Sequence, residues 1–304
     1  MTNNSRNKLK NNPNMVKILY IITQQEFGGA QRNIFDLATN LDKSQYDVHI
    51  AAGGLDGPLF ERARSQNLAV HGLKHLKRSI SPLSDFLAYF ELKKLIIDVK
   101  PDIVHVHSSK AGVLGSMAAR TLNVPKIIYT AHGFVFNEPL NPITRQLYTI
   151  AERQTAKRVN TVIAVSDFDR QSGIKAGIDE SKIITIHNGI DLASLKFLPK
   201  EDARLSLRRG VDAPGGLDAY EDMRPRPQGG SRPLIGCVAN FYPTKGVDVL
   251  VQAMKDVDAQ FVMIGDGMLR GQLESLIKKF GLAGRVTLAG HGPHASQYHK
   301  AFDL

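Results

Sequence analysis

The chain has 304 residues, enough for two domains, and 42% of them are apolar with a mean hydropathy of −0.18. No apolar run approaches the ~20 residues that cross a bilayer, and a single cysteine, Cys237, excludes an internal disulfide and a cysteine-built metal site. A net charge of +10 and a pI near 9.6 call for an anionic partner, but the basic residues are scattered, with no zinc finger, RNP sequence or base-reading helix, so nucleic acid is set aside.

Residues 1–14 are polar and basic, lack the apolar stretch of a secretory signal, and are expected to form a disordered tail. Together with the lone cysteine this points to a reducing cytoplasm. From Met15 short β-branched runs alternate with longer amphipathic segments, the pattern of βα units on a parallel sheet. Strands are expected at 16–22, 46–52, 68–73, 102–107, 126–131, 161–166 and 182–187, each apolar on most positions, as a strand covered on both faces must be. A helix is expected from Pro82 to Val99, with Leu83, Phe86, Leu87, Phe90, Leu95 and Ile96 at helical spacing and Pro101 beyond its end. Ser166 with Asp169 suggests a capping box for a later helix.

From about Lys200 to Arg232 the sequence turns Pro/Gly-rich with mixed charge, and is expected to be a flexible insertion. Beyond it the alternation restarts, with strands at 233–239, 260–265 and 285–290 and helices from Val247 and from Met268 to Phe280. His294–Ala301 has the pattern of a short helix, and Phe302-Asp303-Leu304 that of a strand just beginning. The expected layout is a tail (1–14), a doubly wound domain (15–196), a linker with the insertion (197–232) and a second, partial doubly wound domain (233–304).

In open parallel sheets ligands sit at the carboxyl ends of the strands. After the first strand, "TQQEFGGAQRN" places Gly28 and Gly29 at a helix start, where backbone N–H groups and the helix dipole suit a phosphate; a tight turn that needs glycine for sterics alone explains them equally well. The stretch is neither a GxGxxG fingerprint nor a Walker loop. His105 and His107 point to one face of their strand; a two-histidine metal site lacks a third ligand, so His105 is expected to be packed and His107 to emerge at the crevice. His132, directly after a strand in "YTAHGFVFNEP", is placed to meet a phosphate or a sugar hydroxyl, or merely a neighbouring carbonyl. Lys245 and Gly246, in "VANFYPTKGVDVL", form a candidate diphosphate site at a helix start, and "MIGDGMLRGQLE" puts Gly265, Gly267 and Gly271 one residue out of GxGxxG register.

Those segments, with "FGGAQRNIFDLA", "DIVHVHSSKAGVLGSMAAR", "VIAVSDFDR" and "IHNGID" in the same order, resemble the GT-B glycosyltransferases of family 4, the retaining nucleotide-sugar enzymes, and in particular members that build bacterial surface polysaccharides. The resemblance implies two Rossmann-like domains, acceptor on the first and nucleotide on the second. It implies His132 facing the transferring sugar, Gly28, Gly29, Asn240, Lys245, Gly265, Gly267 and Gly290 around the nucleotide sugar, and His107, Ser108 and Lys110 on the acceptor side. It further implies a UDP- or GDP-sugar donor, a glycan or lipid-linked acceptor, and neither metal nor other cofactor. Asn240 stands where family members often carry an arginine, so one positive charge on the leaving group is replaced by a hydrogen-bond donor.

The family's glutamate-bearing loop lies beyond "AFDL", so the chain is expected to end inside its second domain, leaving the strand "PLIGCVA" with an open apolar flank. An inactive remnant that binds a glycan or partner, and a GT-B nucleotide-sugar epimerase, are the competing readings. Arg145, Arg153, Lys157 and Arg158 on one amphipathic segment suggest peripheral contact with an anionic membrane at its cytoplasmic face, or simply a solvated basic face.

Overall fold

The computed structural model describes residues 15–192, 195–209, 232–292 and 295–304. The tail 1–14, most of the expected insertion (210–231) and His294 lie outside these. The chain divides into two compact units between Ile190 and Asp191, ahead of the boundary expected after residue 196.

The first unit runs β1 (Val16–Ile22), α1 (Gly29–Asn40), β2 (Tyr46–Gly53), α2 (Pro58–Ser65), β3 (Ala69–Leu73), α3 (Pro82–Val99), β4 (Ile103–His107), α4 (Ser109–Thr121), β5 (Lys126–Ala131), α5 (Pro142–Arg158), β6 (Thr161–Ala164), α6 (Asp167–Lys175) and β7 (Ile183–Thr185). The strands form one parallel sheet of order β3-β2-β1-β4-β5-β6-β7. Helices cover both faces because alternate β1 side chains are apolar on each side: Ile18, Tyr20 and Ile22 pack against α1 and α2, and Leu19 and Ile21 against the layer of α3, α4 and α5. The strand order reverses between β1 and β4, which makes their carboxyl ends the switch point where ligands bind in such sheets. Ser166 caps α6, its Oγ accepting from Asp169 N at 3.1 Å.

α3 forms over the expected residues but turns a different face inward. Ala88, Leu92, Ile96 and Val99 are buried, whereas Leu83 (71% exposed), Phe86 (60%), Leu87 and Phe90 face solvent. The helix is apolar on both sides, so the spacing identifies a helix without choosing its buried face. Polar contacts fix the choice: Lys110 Nζ meets Asp85 Oδ1 at 2.5 Å and also bonds Ser79 O, Glu91 Oε2 accepts from His75 N, and Ser84 Oγ donates to His75 O.

The second unit contains α7 (Lys200–Arg209), β8 (Leu234–Val238), α8 (Val247–Ala253), β9 (Gln260–Ile264), α9 (Arg270–Lys279), β10 (Val286–Gly290) and a 3-10 turn, Ala295–Ala301. Its parallel sheet has the order β10-β9-β8. α7 corrects the expectation of a flexible insertion from Lys200: Ala203 and Leu207, four apart, are buried against Leu234, Val262 and Tyr298. The strongly charged remainder of the helix hides that short apolar stripe in the sequence.

The expected open flank of β8 is occupied. Asp303 N donates to Leu234 O at 2.8 Å, Gly236 N donates to Leu304 O at 2.9 Å, and Asp303 accepts from Lys200, Arg204 and Leu234 N. Gly236 makes room for this segment, since a Cβ there would lie 2.2 Å from the Phe302 ring. Gly236→Ala is therefore expected to cost about 1–3 kcal/mol by overpacking, read as a lower melting temperature; an unchanged melt would show that Phe302 does not stay on β8.

Candidate active site

The site of the first unit is built at the carboxyl ends of β1, β4 and β5. Thr23, just past β1, and Ser108, just past β4, are joined across the switch point by a 2.7 Å hydroxyl–hydroxyl contact. Ser108 has φ +69° without being glycine, local backbone strain of the type that concentrates at functional positions. The Lys110 ammonium is engaged by Asp85 Oδ1 and Ser79 O.

His107 does not emerge at the crevice. It is fully buried, as is most of His105, because Tyr20 of β1 and His132 of the loop after β5 pack against it on the sheet face opposite α4. His107 Nδ1 lies 2.9 Å from His132 Nε2, and His105 Nε2 lies 2.7 Å from Thr130 Oγ1. Burial holds all three imidazoles neutral at physiological pH: it lowers His132 to about 4 and His105 to about 3, and His107 well below its ordinary value.

The pairing fixes the protons. His107 Nε2 is buried without a partner, and an orphaned N–H there costs more than a bare lone pair. His107 therefore carries its proton on Nδ1 and donates to His132 Nε2, which leaves His132 with an Nδ1–H donor. His132 is partly exposed, and Gly133 beside it adopts φ +112°, a left-handed turn that glycine adopts without strain. Across the sheet lies a buried carboxyl that sequence reading did not single out: Glu152 of α5 sits near Tyr129 and Ser109, and burial raises it.

Gly28 and Gly29 open α1. A Cβ at Gly29 would meet nothing within 4 Å, and one at Gly28 only the tip of the Gln31 side chain. Internal sterics do not demand glycine at either position, so the tight-turn explanation has no support from packing. In the second unit the reverse holds. Gly265 and Gly267 have φ +152° and +156°, and added Cβ atoms would come within 1.9 Å of Ala239 O and 2.7 Å of Phe241 O. Their first role is the strand-to-helix turn.

A cavity of about 400 Å³ opens at the carboxyl ends of β8 and β9, lined by Asn240, Lys245, Gly265 and His291 among others. It brings three of the expected nucleotide residues together. Gly290 adjoins it, its carbonyl accepting from Gly265 N at 2.8 Å. Lys245 ends a 3-10 turn (Pro243–Lys245) that the left-handed Gly246 joins to α8. His291, next to Gly290, is an unexpected member; its position just past a strand was the available signal. Among the described residues no group of three or more His, Cys, Asp or Glu side chains is placed to hold a metal.

Residues 27–194, more than half of the chain, match the Glycosyltransferase Family 4 domain. The chain belongs to that family. Residues 219–304 match the domain called Glycosyl transferases group 1. Among relatives, a UDP-Gal:alpha-D-GlcNAc-diphosphoundecaprenol alpha-1,3-galactosyltransferase of Escherichia coli is 28% identical over 276 residues, covering 88% of this chain and 66% of that one. The gpi3 subunit of the phosphatidylinositol N-acetylglucosaminyltransferase of Schizosaccharomyces pombe is 24% identical, covering 88% and 54%. This family 4 chain thus spans between about half and two thirds of these relatives. Its fold is GT-B: HepE of Anabaena, solved with UDP and glucose, superposes with a TM-score of 0.74 at 20% identity, covering 95% of this chain and 73% of that one. A sucrose-phosphate synthase of Thermosynechococcus elongatus gives 0.72 at 17% identity, covering 95% and 74%.

Proposed function

We propose that this family 4 protein transfers a sugar, with retention, from a UDP- or GDP-sugar to a lipid-linked glycan acceptor during surface-polysaccharide synthesis. The observation that carries this reading is the Asn240–Lys245 cavity at the carboxyl edge of the second sheet, in a chain whose relatives include transferases named for lipid-linked acceptors. Lys245 binds the diphosphate and offsets charge as the nucleoside diphosphate departs. Asn240 donates a hydrogen bond in place of a second cation. The backbone at Gly28 and Gly29 approaches the donor phosphates, and the His132 Nδ1–H donates to a hydroxyl of the transferring sugar. The experiment is transfer of radiolabelled hexose from UDP- and GDP-sugars to a polyprenyl diphosphate-linked sugar, with the product anomer read by NMR. His132→Ala is expected to reduce transfer about 100-fold or more; sugar release without an acceptor product, or an inverted anomer, would overturn the reading.

A lipid-linked acceptor places the protein at the cytoplasmic face of a membrane, and the first unit has a surface suited to it. α3 exposes Leu83, Phe86, Leu87 and Phe90, and α5 exposes Ile143, Leu147 and Ile150 at i, i+4, i+7 spacing, on the two helices that flank α4. Both apolar ridges lie in the N-terminal halves of their helices, at the carboxyl edge of the sheet. Of the four basic residues expected on α5, Arg145 and Lys157 are exposed; Arg153 is instead engaged with Ala176 O, and Arg158 is partly buried. No helix among the described residues is long and apolar enough to cross a membrane. Phe86→Ser with Phe90→Ser is expected to lower co-flotation with phosphatidylglycerol vesicles tenfold or more, because each ring gives up about 1.5–3 kcal/mol of burial. Equal flotation of the variant would remove the membrane contact.

A further inference from the structure

A second cavity, of about 360 Å³, lies at the carboxyl ends of β1, β2 and β3, and of its lining residues only Thr23 belongs to the site described above. Its walls include Thr23, Gln25, Gly54, Asp56, Lys77 and Arg78. Gln25 is 6% exposed; its Nε2 donates to Gly53 O at 3.2 Å, while its Oε1 is buried and receives no hydrogen bond. A buried amide oxygen without a donor is uncommon in a native fold and marks a place for an O–H or N–H from outside the chain. Two glycines let the walls of the cavity pack closely. A Cβ at Gly57 would press on the Gln25 amide at 3.0 Å, and one at Gly53 would lie 2.0 Å from Leu76 O.

The rim has the opposite character. Lys77 and Arg78 are exposed on the segment that leaves β3, and Lys110 pins the following turn by bonding Ser79 O. Asp56 faces Arg64 at 2.8 Å, so its charge is already offset, and Glu26 at the mouth is outnumbered by the two cations. The N-terminus of α2, at Pro58, adds its dipole to the same side. Immediately beyond Arg78 the chain passes through the exposed Ile80 to the apolar ridge of α3. From the cavity floor outward the order is a hydrogen-bond acceptor, two cations and an apolar surface.

We infer that this cavity is a subsite for a glycosyl phosphate, the sugar's hydroxyl donating to Gln25 Oε1 and its phosphate lying against Lys77 and Arg78. The inference rests on the transferase reading only in calling that ligand the head of the acceptor. Its size is that of small-ligand pockets, and the order of its surfaces matches an anionic head joined to an apolar tail.

The test is calorimetric titration of the full chain with glucose 1-phosphate, first alone and then with UDP present at saturation. Binding that persists with UDP present is expected, and Lys77→Glu with Arg78→Glu should weaken it tenfold or more while leaving UDP affinity unchanged. Gln25→Met, close in shape, should weaken glucose 1-phosphate more than inorganic phosphate; a thermal melt confirms that the variant folds, and the exposed rim pair tests the site independently of it. Absence of binding, complete displacement by UDP, or affinity indifferent to the rim pair would overturn the subsite. Failure to bind either UDP or GDP would instead count against the transferase reading, whatever glucose 1-phosphate does.

Discussion

Lys245→Ala is expected to leave the second unit folded and to weaken UDP binding by roughly 10- to 100-fold, the range for a hydrogen bond to a charged group, about 1.5–3 kcal/mol. Lys245 is exposed at the end of its turn and contributes nothing to the core formed by Phe241, Val247 and Phe261, so the loss should appear in affinity and not in the melting temperature. Asn240 sharpens the expectation. Because the neighbouring position in the cavity is uncharged, Lys245 carries the electrostatic contact without a second cation beside it, and Asn240→Arg should recover part of the lost affinity in the Lys245→Ala background. Isothermal titration with UDP over a series of salt concentrations measures both. Unchanged affinity in Lys245→Ala would place the diphosphate elsewhere, and a drop in melting temperature equal to the loss of binding would make the lysine structural.

Stability should fall steeply as pH drops from about 6.5 towards 4. His105, His107 and His132 are held neutral in the folded chain, with His132 lowered to about 4 and His105 to about 3, whereas in the unfolded chain each takes a proton near 6.5. Between those values the unfolded state binds more protons, so stability rises with pH and is lost on acidification. Each histidine contributes up to about 1.4 kcal/mol per pH unit in that window. Glu152 acts in the opposite sense: its carboxyl is raised, so the folded state holds that proton more tightly and is favoured at low pH. The three histidines together give at most about 4 kcal/mol per pH unit at the steepest point, and Glu152 lowers that slope. Urea midpoints between pH 7.5 and 4.5 test this, and Glu152→Gln should steepen the slope. A flat profile would mean that the three imidazoles are open to water.

The sheets were legible because a strand buried on both faces must be continuously apolar, and such runs stand out between helical patterns. What sequence patterns do not carry is depth. His105 and His107 shared a face as their spacing required, but how far His107 sits below the surface depends on Tyr20 and the loop bearing His132, which are remote in sequence. α7 was missed for the reason that its burial rests on two small apolar residues, Ala203 and Leu207, among charges. Within the second unit, Lys245 and Gly265 were found by their place in strand-to-helix loops and Asn240 by the family resemblance, and the three share one cavity. Gln25 occupies an equivalent place after β1 and escaped notice, since an uncharged amide has no titration or charge to flag it and only its missing donor makes it informative.

The two-sided apolarity of α3 has a consequence for uniqueness. A helix with one greasy stripe has one way to lie on a sheet, but α3 could bury Leu83, Phe86 and Phe90 by rolling about its own axis and gain comparable area. Hydrophobic burial is non-directional and does not separate the two rolls. The separation falls to the Asp85–Lys110 ion pair and to Ser84 and Glu91 on the backbone of His75, which can be satisfied in one orientation alone. In α3 the polar contacts choose the structure that the apolar ones then stabilise, and they leave a hydrophobic ridge facing outward.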